Sequence, residues 1–342
     1  MITPPAPGRA QAAGSRLVLL GTCGGPWPAP GRSGIAQAVV VGDEAYLVDC
    51  GTGVAGQLVR TGLLRRLRAV FVTHLHSDHV CDFFNLFLLG WPVFEPRTTP
   101  IPAFGPGPAG GARALPPDPP GRAVPVIAPA CPTPGLAAMA EAQLQAHAYD
   151  LNVRMRDENK PDLRNLFAVH EIALPGALGA LPRTALAPDM APVVVTEDDH
   201  VRVSAILVDH PPVFPAFAFR FDTDRGSITI SGDTKPCQNL LRLARGSDVL
   251  VHEVFDRELM RDAMGGTPAL AARLRHLSAT HTPVDEVGEV AAAAGVGTLV
   301  LTHLIPPWLP DPRLCDERWA RQAQDGFDGT VIVGRDLLEV EL

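Results

Sequence analysis

Thr73-His74-Leu75-His76-Ser77-Asp78-His79 follows directly on a short β-branched and aromatic run, Ala69 to Thr73 (AVFVT), which reads as a buried strand. The pattern His-x-His-x-Asp-His sets four metal-competent side chains within six positions at the end of that strand, where loops carry sites. Zinc takes imidazole nitrogen at about 2.0–2.1 Å and carboxylate oxygen at similar range, and a catalytic site leaves one position for water. Alternation along the chain lets His74 and His76 face one side while Asp78 and His79 turn to another, which suits two adjacent metals. A polar, histidine-rich surface loop is the plain alternative. The chain holds only 11 histidines, so a cluster this tight and this ordered argues against accident.

Outward from the motif, short β-branched runs at Arg16 to Gly21, Ala38 to Val41 and Ala45 to Val48 read as closely spaced strands, and Gly56 to Leu67 has helical character. Later strands are expected at Val201 to Val208, Ala216 to Phe221, Ser227 to Ser231, Asp248 to Val251, Thr298 to Thr302, Thr330 to Val333 and Leu337 to Leu342. Three candidate ligands sit at or just past such runs: His210 after VRVSAILVD, Asp233 after SITISG and His303 after TLVLT. A helix over Pro283 to Ala294 is expected from Thr282 as N-cap, Pro283 at the first position, a capping-box-like Asp285 and Gly295 as terminator. Another is expected over Leu136 to Tyr149. Ahead of both, Pro92 to Pro134 is dense in proline and reads as loop. The span 92–192 is taken as one insertion or lid within a single domain, 1–342.

At 342 residues and 46% hydrophobic, with 35 prolines and 32 glycines, the chain is neither globally disordered, coiled-coil nor collagen-like. A net charge of −8 gives no chain-wide basic footprint, which leaves nucleic acid a disfavoured partner. The six cysteines have no CxxC spacing, so reduced thiols and a cytoplasmic location are expected. The polar, Pro-rich first dozen residues do not read as a signal peptide, and no run approaches the roughly 20 apolar residues of a membrane span.

The stretch THLHSDH at 73–79 resembles the signature of the metallo-β-lactamase superfamily. Within it, LVLLGTCGGP, YLVDCGTG, SGDT and LVLTHLIP are similar to the branch holding arylsulfatase-like and ribonuclease Z-like hydrolases. The resemblance runs roughly from Leu17 to the C-terminus, outside much of the Pro-rich span. It implies an α/β fold, a four-layer αββα sandwich with two metal ions at one edge. It implies that His74, His76 and His210 hold the first metal, Asp78, His79 and His303 the second, and that Asp233 bridges them. Two Zn2+ are expected, with Mn2+ or iron as alternatives, and hydrolysis is the implied chemistry. Asp78 is a candidate to orient the nucleophile. His281 is a candidate to contact an oxyanion or protonate a leaving group, as the resemblance implicates a histidine at this place in the order; beside the expected N-terminus of the Pro283 helix its ring would lie at a positive helix end. Glu253 either fixes a ligand imidazole or pairs with His252 as core polarity.

Two departures bear on function. Asp82 stands where the family usually has glycine, and is expected to cap the helix DFFNLFLLGW. His210 and Asp233 lie 23 positions apart, room for little more than a hairpin where bacterial ribonuclease Z carries its tRNA-gripping arm. The leading expectation is therefore a binuclear metal-dependent hydrolase (EC 3.1) of a small-molecule ester, a phosphodiester or aryl sulfate. Its alternatives are a ribonuclease Z-like nuclease, a β-lactamase or lactonase, and a non-hydrolytic metal-binding sensor. A homodimer is expected from resemblance. Arg97, Arg113, Arg122, Arg154 and Arg156 are candidate anion contacts in the insertion, with a solvated charged loop favoured for the last two. Trp91, Phe94, Trp308 and Trp319 are divided between pocket and core. His147, His170, His200 and His276 carry no spacing signal.

Overall fold

Apolar side chains at four successive positions, Leu17 to Leu20, do not suit a strand with one wet face. In the computed structural model, which describes residues 14–94, 97–176, 186–264 and 268–342, all four are fully buried. Leu17 and Leu19 pack between two sheets, and Val18 and Leu20 pack under helices on the outer face. A near-continuous apolar run is what a sheet covered on both faces requires.

The first sheet comprises β1 (Ser15–Gly21), β2 (Ala36–Val41), β3 (Glu44–Val48), β4 (Leu67–Phe71), β5 (Ile101–Gly105), β6 (Phe167–Glu171) and β14 (Leu338–Glu341). Its order is β14-β1-β2-β3-β4-β5-β6, antiparallel from β14 to β3 and parallel from β3 to β6. The second sheet comprises β7 (Val193–Glu197), β8 (Val201–Leu207), β9 (Phe217–Thr223), β10 (Ser227–Ile230), β11 (Val249–Phe255), β12 (Thr298–Ile305) and β13 (Thr330–Val333), in the order β13-β12-β11-β10-β9-β8-β7. The helices are α1 (Val54–Arg60), α2 (Ser77–Val80), α3 (Phe83–Phe94), α4 (Leu136–Ala146), α5 (Ala148–Asp157), α6 (Gln238–Ala244), α7 (Arg257–Met264), α8 (Pro268–Thr280), α9 (Val287–Ala294) and α10 (Asp316–Ala323). α1 and α4 pack on the first sheet, and α6, α9 and α10 on the second, so the layers are the expected αββα.

Phe71, last residue of β4, joins the sheets. Its ring meets Phe104 at 5.3 Å, Phe219 at 5.4 Å and Phe221 at 5.3 Å, and it is fully buried. Burial of such a side chain is worth about 1.5–3 kcal/mol, and this one pins the strand that delivers the histidine motif. Tyr46 on β3 adds a polar tie, its hydroxyl donating to Asp198 Oδ2 at 2.8 Å in the β7–β8 turn.

Several expectations need correction. The Pro92–Pro134 stretch is not all loop: β5 lies inside it, between β4 and β6, with Pro102 tolerated opposite Ala168. The helix expected at Gly56 to Leu67 stops at Arg60 because Gly62 adopts φ +74°, and a 3-10 turn follows. The helix expected at Leu136 to Tyr149 is two, broken at His147. Residues 116–131 are exposed throughout. The N-terminal dozen, and residues 95–96 and 177–185 of the 92–192 span, lie outside the described residues. No helix among the described residues is long and apolar enough to cross a membrane.

Candidate metal centre

All the candidate ligands collect at one edge of the sandwich, past the C-terminal ends of β4, β8 and β10 and inside β12. After Phe71 the chain leaves the sheet. Thr73 is held in place by Asp49, whose Oδ1 accepts from its backbone N at 2.8 Å and whose carboxylate also accepts its hydroxyl. Thr73 O then accepts from Phe217 N of the second sheet at 2.9 Å. The single turn α2 folds His79 back so that its ring lies 4.1 Å from that of His74. Asp233 follows Gly232, which takes φ +59°, and a Cβ there would meet Phe217 O at 2.6 Å. His303 does not follow its strand, as expected, but sits within β12 as an extra residue. Glu253 pairs with Thr302 and Val254 with Leu304, so His303 bulges out with φ +45°. Strained backbone of this kind concentrates at functional sites.

Donor atoms of His74, His76, His210 and Asp233 lie within 4.8 Å of one another, as do those of Asp78, His79 and His303, and those of Asp233, His281 and His303. Asp233 stands between the groups: Oδ2 is 3.8 Å from His74 Nε2, 3.8 Å from His210 Nε2 and 3.5 Å from His303 Nε2, and Oδ1 is 3.4 Å from His79 Nε2. Asp78 Oδ2 is 3.3 Å from His303 Nε2. The ligand set expected from the sequence is thus brought together in full, with His281 Nδ1 3.9 Å from Asp233.

Whether a metal fits is decided by lone pairs. His79 Nδ1 is 2.8 Å from Asp49 Oδ2, and His210 Nδ1 is 2.9 Å from the carbonyl of Thr280, so both rings donate from Nδ1 and present Nε2 as acceptor. His210 Nε2 in turn faces His76 Nδ1 at 3.3 Å. His74 Nε2, His79 Nε2 and Asp233 Oδ1 are buried with no hydrogen-bond partner. Buried acceptors aimed at one another are costly, and a cation among them removes the cost. Burial holds the pKa of His76 and of His210 down at about 4 and that of His74 well below its usual range, so these imidazoles are neutral ligands at neutral pH. Burial works against ionised Asp233, but the neighbouring His303 and then His79 outweigh it and hold its carboxyl well below the usual range.

Other expectations divide. His281 is not at the start of a helix. It follows Thr280 at the C-terminal end of α8, its own N–H still bonded to Leu277 O, and residues 282–284 lie alongside β11, with Phe255 N donating to Thr282 O and Val284 N to Phe255 O. Thr282 spends its hydroxyl on Thr234 O instead of capping, and α9 begins at Val287. The nearby dipole end is therefore negative and favours an imidazolium. Burial opposes that charge, but Glu253 Oε1, 3.1 Å from Nδ1, and then Asp233 and Asp78 outweigh it and raise the pKa to about 9. Glu253 also accepts from Thr234 N and Thr282 N, so the imidazole it fixes is that of His281 and not one of the seven ligands expected from the sequence. Asp82 accepts from Gly53 N at 2.6 Å and from Asn85, so its side chain ties α1 to α3 more than it caps. Arg154 pairs with Asp150 and Glu158 on the exposed face of α5, and Arg97 donates to Leu67 O. Trp91, Phe94 and Trp319 are core, and Trp308 is exposed. Asp49, the Thr280 carbonyl and Gly25, whose N–H donates to His303 Nε2 at 3.2 Å, escaped the sequence reading. Only Asp49, a carboxylate closing an apolar strand, left any signal.

Residues 32–264 match the model of the metallo-beta-lactamase superfamily. The chain belongs to the metallo-beta-lactamase superfamily. It is 32% identical over 328 residues to a ribonuclease Z of Mycobacterium bovis, covering 95% of this chain and 98% of that one. Among solved structures it resembles the superfamily fold protein YhfI of Bacillus subtilis (TM-score 0.60, 18% identity, 96% of this chain and 100% of that one) and the short form of human tRNase Z (TM-score 0.60, 20% identity, 95% and 98%). The hydrolase reading stands at the level of the metallo-beta-lactamase superfamily. The expectation that nucleic acid is disfavoured does not sit with relatives that are ribonucleases, and the net charge on which it rested averages over surfaces far from the centre.

Proposed function

We propose that this protein is a ribonuclease Z-like phosphodiesterase that cleaves RNA, with zinc as its resident metal. The observation that carries the reading is the 32% identity to a ribonuclease Z across nearly the whole of both chains. Zinc is favoured by a donor set richer in imidazole nitrogen than in carboxylate oxygen. In this reading His74, His76 and His210 would hold one ion and Asp78, His79 and His303 the other, with Asp233 available to both. Bound there, the ions would supply Lewis-acid polarisation of a phosphodiester and an activated water at neutral pH. The remaining work falls to side chains. Asp78, kept ionised against burial by His79 and His303, orients the attacking water. His281 is held through Nδ1 by Glu253 and offers the proton on Nε2 to the departing oxygen. The same reading treats 1–342 as one domain, with the 92–192 span supplying two strands of the first sheet beside its loops.

A second reading, hydrolysis of a small phosphodiester, draws on the net charge and on β9 and β10, which fill the span between His210 and Asp233 with a hairpin. Purified protein is incubated with 5′-labelled RNA and, separately, with bis(p-nitrophenyl) phosphate, as wild type and Asp233→Ala, with and without chelator. RNA cleavage abolished by chelation and by Asp233→Ala supports the proposal. Turnover of the small diester alone moves the conclusion to the second reading, and cleavage unchanged in Asp233→Ala sinks the site assignment.

A further inference from the structure

Two segments flank the candidate centre. One is the loop between β1 and β2, locked to the site by the Gly25 N–H on His303 Nε2 and by Gly24, where a Cβ would lie 2.5 Å from His303 O. The other is α8, whose last carbonyl holds His210 and after which His281 follows. Outside the site these segments meet where the Arg273 guanidinium lies 4.1 Å from the centroid of the Trp27 ring. Trp27 remains 55% exposed. Arg273, His276 and Thr280 recur at helical spacing along one side of α8, a track of about 10 Å from Arg273 to the site. Burial, and then the charges of His281 and Arg273, depress the basicity of His276.

The charge here is unlike that of the whole chain. α8 carries Arg273, Arg275 and His276 and no carboxylate. Arg154, Arg257, Arg313 and Arg318 pair with carboxylates, whereas Arg273 has no ion-pair partner among the described residues and rests on an aromatic face instead. An exposed indole backed by an unneutralised guanidinium is the pair of surfaces on which unpaired bases stack and phosphates anchor.

We propose that Trp27 and Arg273 form a stacking platform for an unpaired nucleotide of the RNA strand next to the scissile phosphate. The free area of the indole takes the base, and the guanidinium anchors the adjoining phosphodiester. The proposal rests on the RNA reading above and names where such a chain without the tRNA arm grips its substrate.

The test is steady-state cleavage of a 5′-labelled single-stranded RNA by the zinc-loaded protein, as wild type, Trp27→Ala, Trp27→Phe, Arg273→Ala and, as a remote exposed control, Tyr149→Ala. Metal content and melting temperature are measured on each. Trp27→Ala is expected to raise KM about five- to a hundredfold with kcat nearly kept, and Trp27→Phe to restore most of it. Arg273→Ala is expected to raise KM and lower its salt slope by about one, and Tyr149→Ala to change neither. RNA cleavage by Trp27→Ala with KM within twofold of wild type, or a loss confined to kcat, overturns the platform and leaves the RNA reading standing. Failure of the wild type to cleave RNA overturns both.

Discussion

Asp49 shows how much of the centre depends on a residue that touches no candidate ligand position directly except through His79. Fully enclosed and held at φ +62°, it accepts from Thr73 twice over and from His79 Nδ1, so one carboxylate sets both the exit path from β4 and a ring's tautomer. Asp49→Asn keeps the shape and removes the charge. Zinc affinity is expected to fall about 10–100-fold, read by competition with a chromogenic chelator. His281→Gln is expected to lower kcat for RNA about 10²–10⁴-fold while metal content stays at the wild-type level, which separates proton donation from metal binding. At this scale the histidine motif was legible, because its spacing is local and its chemistry rare. The roles of Asp49 and Thr280 were not, since a hydrogen bond across 30 or 70 positions leaves no periodicity to read, and Asp49 showed only as a carboxylate closing an apolar strand.

Elements succeed or fail as sequence readings according to whether a neighbour overrides the local signal. β1–β4 and β8–β14 were legible as short apolar or β-branched runs, whereas β5, β6 and β7, partly exposed and set among loops, were not read as strands. The start of α9 was misread although Thr-Pro-Val-Asp is a sound capping pattern, because β11 recruits residues 282–284 as an extended neighbour and Glu253 claims the Thr282 N–H. The bulge at His303 was invisible, as a register shift belongs to a pair of strands rather than to one. Gly232→Ala tests how finely such an element end is set. Left-handed backbone costs about 1–2 kcal/mol for a residue with a side chain, and the Phe217 carbonyl adds a clash, so a lower melting temperature and weaker metal retention are expected together. The β7–β8 turn gives a pH test away from the metals. Burial alone would raise the Asp198 pKa, but the backbone N–H groups of His200 and Val201 and the Tyr46 hydroxyl outweigh it and hold it below 3.8. Its contribution is therefore complete above that value and lost as pH falls through the lower, folded one. The stability gap between wild type and Asp198→Ala, followed by denaturant melts, is expected to be level above about pH 5 and to close in stronger acid.

Across the whole molecule, His74, His76, Asp78 and His79 come from the first sheet's side of the sandwich and His210, Asp233 and His303 from the second's. Chelation is expected to lower the melting temperature by on the order of 10 °C, since tight metal binding adds several kcal/mol to the folded state. RNA affinity is expected to fall steeply as salt rises from about 50 to 200 mM despite the acidic chain, because binding is set by the local cations of α8. Domain-wide charge was legible from the start, and its local reversal was not, because which residues share a face is decided by folding. The exposed 116–131 stretch cuts this ligand set into two incomplete halves: everything up to it brings the first four donors, everything after it the other three. A protease nick there would leave two pieces that interlock through β5 against β6 and β1 against β14. Unfolded and mixed again, neither piece could assemble a full coordination sphere alone, so zinc uptake would report reunion of the fragments, a logical AND written in ligands.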